Sequence, residues 1–252
     1  MLSIAIEMAN RGSPESLAVY YVHRMERGTV VGIAHGQDVP AGTMPVGSVR
    51  FVLDAFHAQG LPEPPVIHYP KPLRSFCFMG RRVARMSLAE ARRKALAQPL
   101  WCKADGHEKP FPPGTPLDLD PELPDELPVW AAPPVTFLSE WRFYIAQQRI
   151  LFSERYDPYG VEEAPRPDLE MVTAMLSQPR WALDAPAGYS LDVGVLANGR
   201  TVLVEVNDGW ALGFYGRMSL EHCRMYRDLL VQRYLELRDA PDTGGGRAGG
   251  RP

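Results

Sequence analysis

Asp192 interrupts the apolar run 189–196, and Glu205 interrupts the β-branched run 201–206, with Asn207 and Asp208 directly after it. Between the runs stands Ala197-Asn198-Gly199-Arg200, and Asn-Gly is the dipeptide that best supplies positive φ in a tight hairpin turn. Side chains alternate along a strand, so Glu205 and Asn207 point the same way, and the turn brings Asp192 to that face. Two carboxylates and an amide oxygen make an all-oxygen site suited to a hard cation such as Mg²⁺, which keeps several waters and binds substrate phosphates. The competing reading makes both acids solvent-facing residues of a half-exposed hairpin. Against it, Glu205 lies in an otherwise apolar strand that leads into Asn207-Asp208-Gly209-Trp210, and a buried acid needs a partner.

Cationic residues are spaced along the chain upstream. Lys103 ends an apolar run, 100–103, and a polar loop with His107 and Lys109 follows it. A lysine ammonium is a compact charge for neutralising phosphate, whereas His107 reads most simply as a solvent-facing loop residue. Glu140 and Arg142 share one face of the alternating run 140–145, which turns at Gln147-Gln148 into 150–152, a second hairpin with Arg155 at its far end. The bland alternative is a cross-strand Glu–Arg ion pair, worth little at a surface. Ser87-Leu88-Ala89-Glu90 is a capping box opening a basic helix with Arg92, Arg93 and Lys94, a solvated face. Arg81-Arg82 precede it.

In this order, these pieces resemble the ATP-grasp superfamily over residues 45–216, and look closest to a bacterial and phage-associated branch of it. The resemblance implies that Asp192, Glu205 and Asn207 hold Mg²⁺, that Lys103 reaches the α- and β-phosphates of ATP, and that the loop with Lys109 closes over the triphosphate. It puts Arg81 or Arg82 near phosphate, Val129, Trp130 and Ala131 at a hinge offering backbone groups to the adenine edge, and Glu140 among the nucleotide-binding residues. Arg142 falls near the transferred phosphate, and Arg155 near a substrate carboxylate or acyl phosphate. The implied activity is an ATP-dependent carboxylate–amine ligase acting through an acyl phosphate, with small-molecule or peptide substrates. One departure stands out. The loop has only Gly106 and Gly114, where better-known members carry a glycine-rich phosphate cradle. That departure favours the alternative, a non-catalytic ATP-binding module signalling to a protein partner. A metal-dependent phosphohydrolase on the same ligands lacks the His and Asp clusters expected of it. No Walker lysine loop, dinucleotide glycine fingerprint or Ser-His-Asp order supports another class.

The elements that must position these residues read as α/β (α+β): the ATP-grasp fold, antiparallel sheets with flanking helices, preceded by a small α/β pre-domain. The expected bounds are 1–72 for the pre-domain and 73–238 for the core, the latter divided into a lysine-strand part, 73–128, and a metal-hairpin part, 129–238. A glycine-rich, flexible tail, 239–252, follows. Within the pre-domain, 17–22 and 30–33 read as strands, 51–59 as a helix stopped by Gly60, and 64–69 as extended. Helices are also expected at 168–177 and 220–238. The composition, 45% hydrophobic and 23% charged with a net charge of −3, is that of a globular protein and argues against general nucleic-acid binding. Three dispersed cysteines, Cys77, Cys102 and Cys223, fit a reduced cytoplasm. No run approaches the roughly 20 apolar residues of a spanning helix, and a signal peptide is not expected. A protein partner or a homo-oligomer stays open.

Overall fold

The computed structural model describes residues 2–157 and 163–240; most of the expected tail, 241–252, lies outside them. The chain opens with Ile4–Glu7 (β1), Pro14–Met25 (α1), Val30–Ile33 (β2), Met44–Val46 (β3) and Val49–Ala58 (α2), forming a parallel sheet in the order β2-β1-β3. Residues 17–22, expected as a strand, belong to α1. The start signal lies just upstream: Ser13 accepts a hydrogen bond from the Ser16 amide at 3.2 Å, Pro14 takes the first helical position and Glu15 the first turn. Val19 and Val22, three apart, then bury one helical face. Gly60, at φ 71°, follows α2 as expected. Residues 64–69 form no strand, and β1 was not anticipated.

Next come Phe76–Met79 (α3), Ala84–Ser87 (β4), Leu88–Ala95 (α4), Trp101–Ala104 (β5) and Pro128–Ala132 (β6), with β6 central in an antiparallel sheet β4-β6-β5. Ser87 caps α4 as its sequence predicts, but Glu90 turns to Lys94 at 2.8 Å instead of reaching back to the cap. The last part runs Phe137–Ala146 (β7), Arg149–Arg155 (β8), Leu169–Leu176 (α5), Pro179–Asp184 (α6), Gly188–Leu196 (β9), Thr201–Asp208 (β10) and Leu220–Arg238 (α7). Its antiparallel sheet has the order β10-β9-β7-β8. Both hairpins form, with the two turns exchanging characters. Gln147 and Gln148 take the positive φ values (48° and 59°) of a two-residue turn, whereas in the β9–β10 turn only Gly199 is positive, at 79°. There Asn198 accepts from the Arg200 amide at 3.2 Å.

The four-stranded sheet is buried on both faces. Phe143, Ile145, Leu191, Val193, Leu203 and Val206 lie in one core with Val172 and Met175 of α5 and Trp181 of α6. Tyr144 and Phe152 on the other face join a core that includes α7, α1 and the parallel sheet. That second face turns polar towards β5, and there the functional side chains gather. Among the described residues no helix is long and apolar enough to cross a membrane.

Candidate active site

Asp192 lies opposite Arg142 of β7 on one side and Glu205 of β10 on the other, so all three share a face. The pairing with Glu205 requires a β-bulge: Leu203 is opposite Val193 and Glu205 opposite Asp192, leaving Val204 in excess. Asn207 then joins them, its amide nitrogen donating to Asp192 Oδ2 at 3.0 Å and to Glu205 Oε1 at 3.1 Å. The three side chains anticipated as metal ligands therefore meet at one point.

Each acid has a cation. Arg142 forks onto Asp192, Nε to Oδ1 at 2.8 Å and Nη2 to Oδ2 at 2.6 Å, while its Nη1 donates to Gly213 O at 3.3 Å. Tyr144 donates to the same carbonyl at 2.9 Å and accepts from the Tyr215 amide at 2.8 Å, so β7 also fixes the turn beyond β10. Burial pushes the carboxyl of Asp192 up against the pull of Arg142. Burial acts to lower Arg142, and the charge of Asp192 more than offsets it. Lys103 of β5 reaches across to Glu205 Oε2 and lies 4.9 Å from the Tyr69 ring centroid. Burial would raise the carboxyl of Glu205, but Lys103 foremost, then Lys109 and His68, hold it at about 2. His68 Nδ1 stands 3.9 Å from Glu205, and its Nε2 is 3.3 Å from Gly106 O. Burial and the neighbouring Lys103 bring this imidazole down to about 4, so it is neutral at pH 7.

The loop after β5 is held at both ends. Cys102 and Gly114 exchange backbone hydrogen bonds at 2.8 and 3.0 Å, and Asp105 accepts from Trp130 Nε1 at 2.6 Å and pairs with Arg85. His107 is neither solvent-facing nor near the acids. It lies 2.8 Å from Pro64 O and edge-on to Trp210, docking the loop on the N-terminal part. Exposed Lys109 hangs from this loop over a cleft of about 190 Å³ between the two antiparallel sheets, whose walls include Lys103, Lys109, Glu140, Tyr156, His68 and Glu205. Beyond His68 and Lys109 a second cavity, about 100 Å³, reaches Asn207, Asp208 and Trp210. Glu140 accepts from the Tyr156 hydroxyl at 2.9 Å, and burial raises its carboxyl.

Other anticipated residues lie elsewhere. Arg155 is opposite Trp141, one position out of phase with the Arg142–Glu154 pair, so it occupies the other face of the sheet and forks onto Asp157 at 2.7 and 2.8 Å. Val129 and Trp130 sit inside β6, whose backbone is committed to β4 and β5, leaving no groups there for a base edge. Trp130 instead packs against Tyr69. Arg81 is buried, donating to the carbonyls of Met79, Leu203 and Val204, and Arg82 is exposed. Sequence reasoning passed over His68, Tyr69 and Tyr156. The first two sit in a proline-rich stretch read as a connection, where a His-Tyr pair after an apolar dipeptide was the available signal.

Among the described residues no group of three or more His, Cys, Asp or Glu side chains is placed to hold a metal ion. The oxygen set nevertheless fits Mg²⁺, because its third member is an amide. Turning Asn207 over exchanges its nitrogen for Oδ1 at the point between the two carboxylates.

Two antiparallel sheets facing each other across a lysine- and acid-lined cleft define the ATP-grasp fold. Residues 78–225 match a family described as an ATP-grasp domain, the second family of its clade, and the chain belongs to that family. No curated protein matches it in sequence. Among solved structures it is similar to a RimK domain ATP-grasp protein from Sphaerobacter thermophilus DSM 20745, with TM-score 0.61 and 16% identity over 90% of this chain and 99% of that one. The D-cycloserine synthetase DcsG gives TM-score 0.61 and 12% identity over 90% and 99% of the two chains. The ATP-grasp ligase PsnB, complexed with minimal precursor, gives 0.51 and 14% over 92% and 99%.

Proposed function

We propose that the chain is an ATP-dependent ligase that activates a substrate carboxylate as an acyl phosphate and transfers the acyl group to an amine. The observation that carries this reading is the cleft in which Lys103, Lys109, Glu140 and Glu205 line one space between the two sheets. Triphosphate lies along Lys103 and Lys109, the first held by its strand ladder and the second free to close from the loop. Glu140, kept partly protonated by burial and oriented by Tyr156, faces the nucleoside end as a hydrogen-bonding partner. Asp192, Glu205 and Asn207 hold Mg²⁺, which neutralises charge on the β- and γ-phosphate oxygens when bound. The solved ligase PsnB, which shares the fold, has been captured with Mg and ADP.

The substrate acid enters the smaller cavity beyond His68 and Lys109. Its carboxylate oxygen attacks the γ-phosphorus, the bond to the β-phosphate oxygen breaks, and ADP leaves. The amine then attacks the acyl carbon, phosphate leaves, and the amine proton passes to solvent. Positioning and charge neutralisation suffice for both steps. Arg142 acts through Asp192 and the Gly213 turn, and Arg155 has no part in holding substrate. Related folds are named for a small-molecule synthetase and for a precursor-modifying ligase, so both amino acids and peptides belong in the test. Incubating the protein with Mg-ATP and pooled amino acids and peptides should release ADP only with the matching pool, and mass spectrometry should then find a condensation product. ADP release without any product would refute ligation.

A further inference from the structure

Glu205 faces Asp192 only because β10 carries one residue more than β9 at this point. In an uninterrupted strand Leu203 and Glu205 would share a face. Here Leu203 packs in the core with Val172 and Met175, while Val204 and Glu205 both line the cleft. A bulge of this kind disrupts the ladder and needs something to fix it. Buried Arg81, 8% exposed, supplies that: Nη1 donates to Leu203 O at 2.9 Å and to Met79 O at 3.0 Å, and Nη2 to Val204 O at 3.4 Å. The two strand carbonyls belong to the residues on which the bulge turns. Arg81 is delivered by Gly80, which ends α3 at φ 63°, and a Cβ on Gly80 would stand 2.7 Å from Val202 Cγ1. Only glycine allows that approach.

We propose that Arg81 is a positioning residue: its guanidinium fastens the β10 bulge and thereby holds Glu205 towards Asp192 and Asn207, making the cation site without touching nucleotide. This rests on Asp192, Glu205 and Asn207 being the ligands. A lysine at position 81 keeps the charge but has no fork to span two carbonyls.

The test is calorimetric titration of ADP with Mn²⁺ and with chelator. In the wild type Mn²⁺ tightens ADP binding. In Arg81→Lys that tightening falls by about tenfold or more, the range typical of groups that orient metal ligands, while affinity for ADP in chelator is unchanged. Deletion of Val204, with Arg81 intact, keeps the tightening, because regular pairing then sets Glu205 opposite Asp192 without a clamp. Combined with Arg81→Lys, the deletion restores the tightening that the single variant loses. The proposal is overturned if Arg81→Lys keeps the full Mn²⁺ effect, or if it loses ADP affinity equally in chelator, which would put the guanidinium on the nucleotide. Loss of the effect on deleting Val204 alone would also overturn it, and that outcome does not require the Arg81 variant to fold. A wild type without any Mn²⁺ effect would instead refute the metal-site reading, before any variant is examined.

Discussion

Replacing Lys103 with methionine should expose how this site balances its charges. The ammonium contacts Glu205 directly, and both side chains are largely buried, 8% and 17% exposed. Glu205 is held at about 2, against an ordinary 4.5, chiefly by this lysine overcoming burial. That difference corresponds to about 3 kcal/mol, within the range for breaking a buried pair. For a chain of this size it lowers Tm by about 6–12 °C at neutral pH. The sign follows from the depressed carboxyl. In the wild type the contribution is present above pH 4.5 and is lost as pH falls from 4.5 towards 2. Without Lys103, burial acts unopposed and raises the carboxyl above 4.5. The variant then loses stability as pH rises through that range, so the two proteins should differ most near neutrality and converge in acid. The unpaired carboxylate should also bind Mn²⁺ more tightly in the absence of nucleotide, while ADP binds more weakly. Thermal melts from pH 2 to 7 and electron-paramagnetic titration of Mn²⁺ measure both. Parallel melting profiles, or weaker Mn²⁺ binding in Lys103→Met, would refute the reasoning.

Three further outcomes are expected. Arg142→Lys should cost about 2–3 kcal/mol of stability, because one ammonium cannot replace a fork that satisfies both oxygens of a fully buried Asp192; chemical denaturation measures it, and a change below about 0.5 kcal/mol, the level of an ordinary surface substitution, would contradict it. His107→Ala should speed hydrogen exchange in residues 104–113, since it removes the contacts to Pro64 and Trp210 that dock the loop; unchanged exchange would mean the loop is held elsewhere. Gln147→Asn should stabilise the protein by about 0.5 kcal/mol, because asparagine tolerates positive φ better than glutamine, and a lower denaturation midpoint would count against it.

The hairpin acids were legible in the sequence because a strand's two-residue period and an Asn-Gly turn are local signals. So were Lys103 at its strand end and α7 with its long amphipathic pattern. The bulge at Val204 was not, since no residue type announces it, yet it decides which way Glu205 points. Arg155 was misplaced for a related reason: its face depends on hairpin register, and one position out of phase puts it on the far side from Arg142. Residues 17–22 read as a strand from their apolar run, while the Ser13-Pro14-Glu15 start signal upstream decided for helix. Val129 and Trp130 were placed in the right neighbourhood, but a central strand has no backbone groups to offer. His68 and Tyr69 became part of the site only through tertiary contacts, with Gly106, Glu205 and Lys103.

The central claim is that the cleft binds nucleotide together with a divalent cation held by Asp192, Glu205 and Asn207. Its most direct test is calorimetric titration of ADP, with and without Mg²⁺, into the wild type and Glu205→Gln. The account predicts that Mg²⁺ tightens binding to the wild type and has no such effect on the variant, which retains the fold by circular dichroism. Equal tightening in both proteins, or no ADP binding by the wild type, would contradict it.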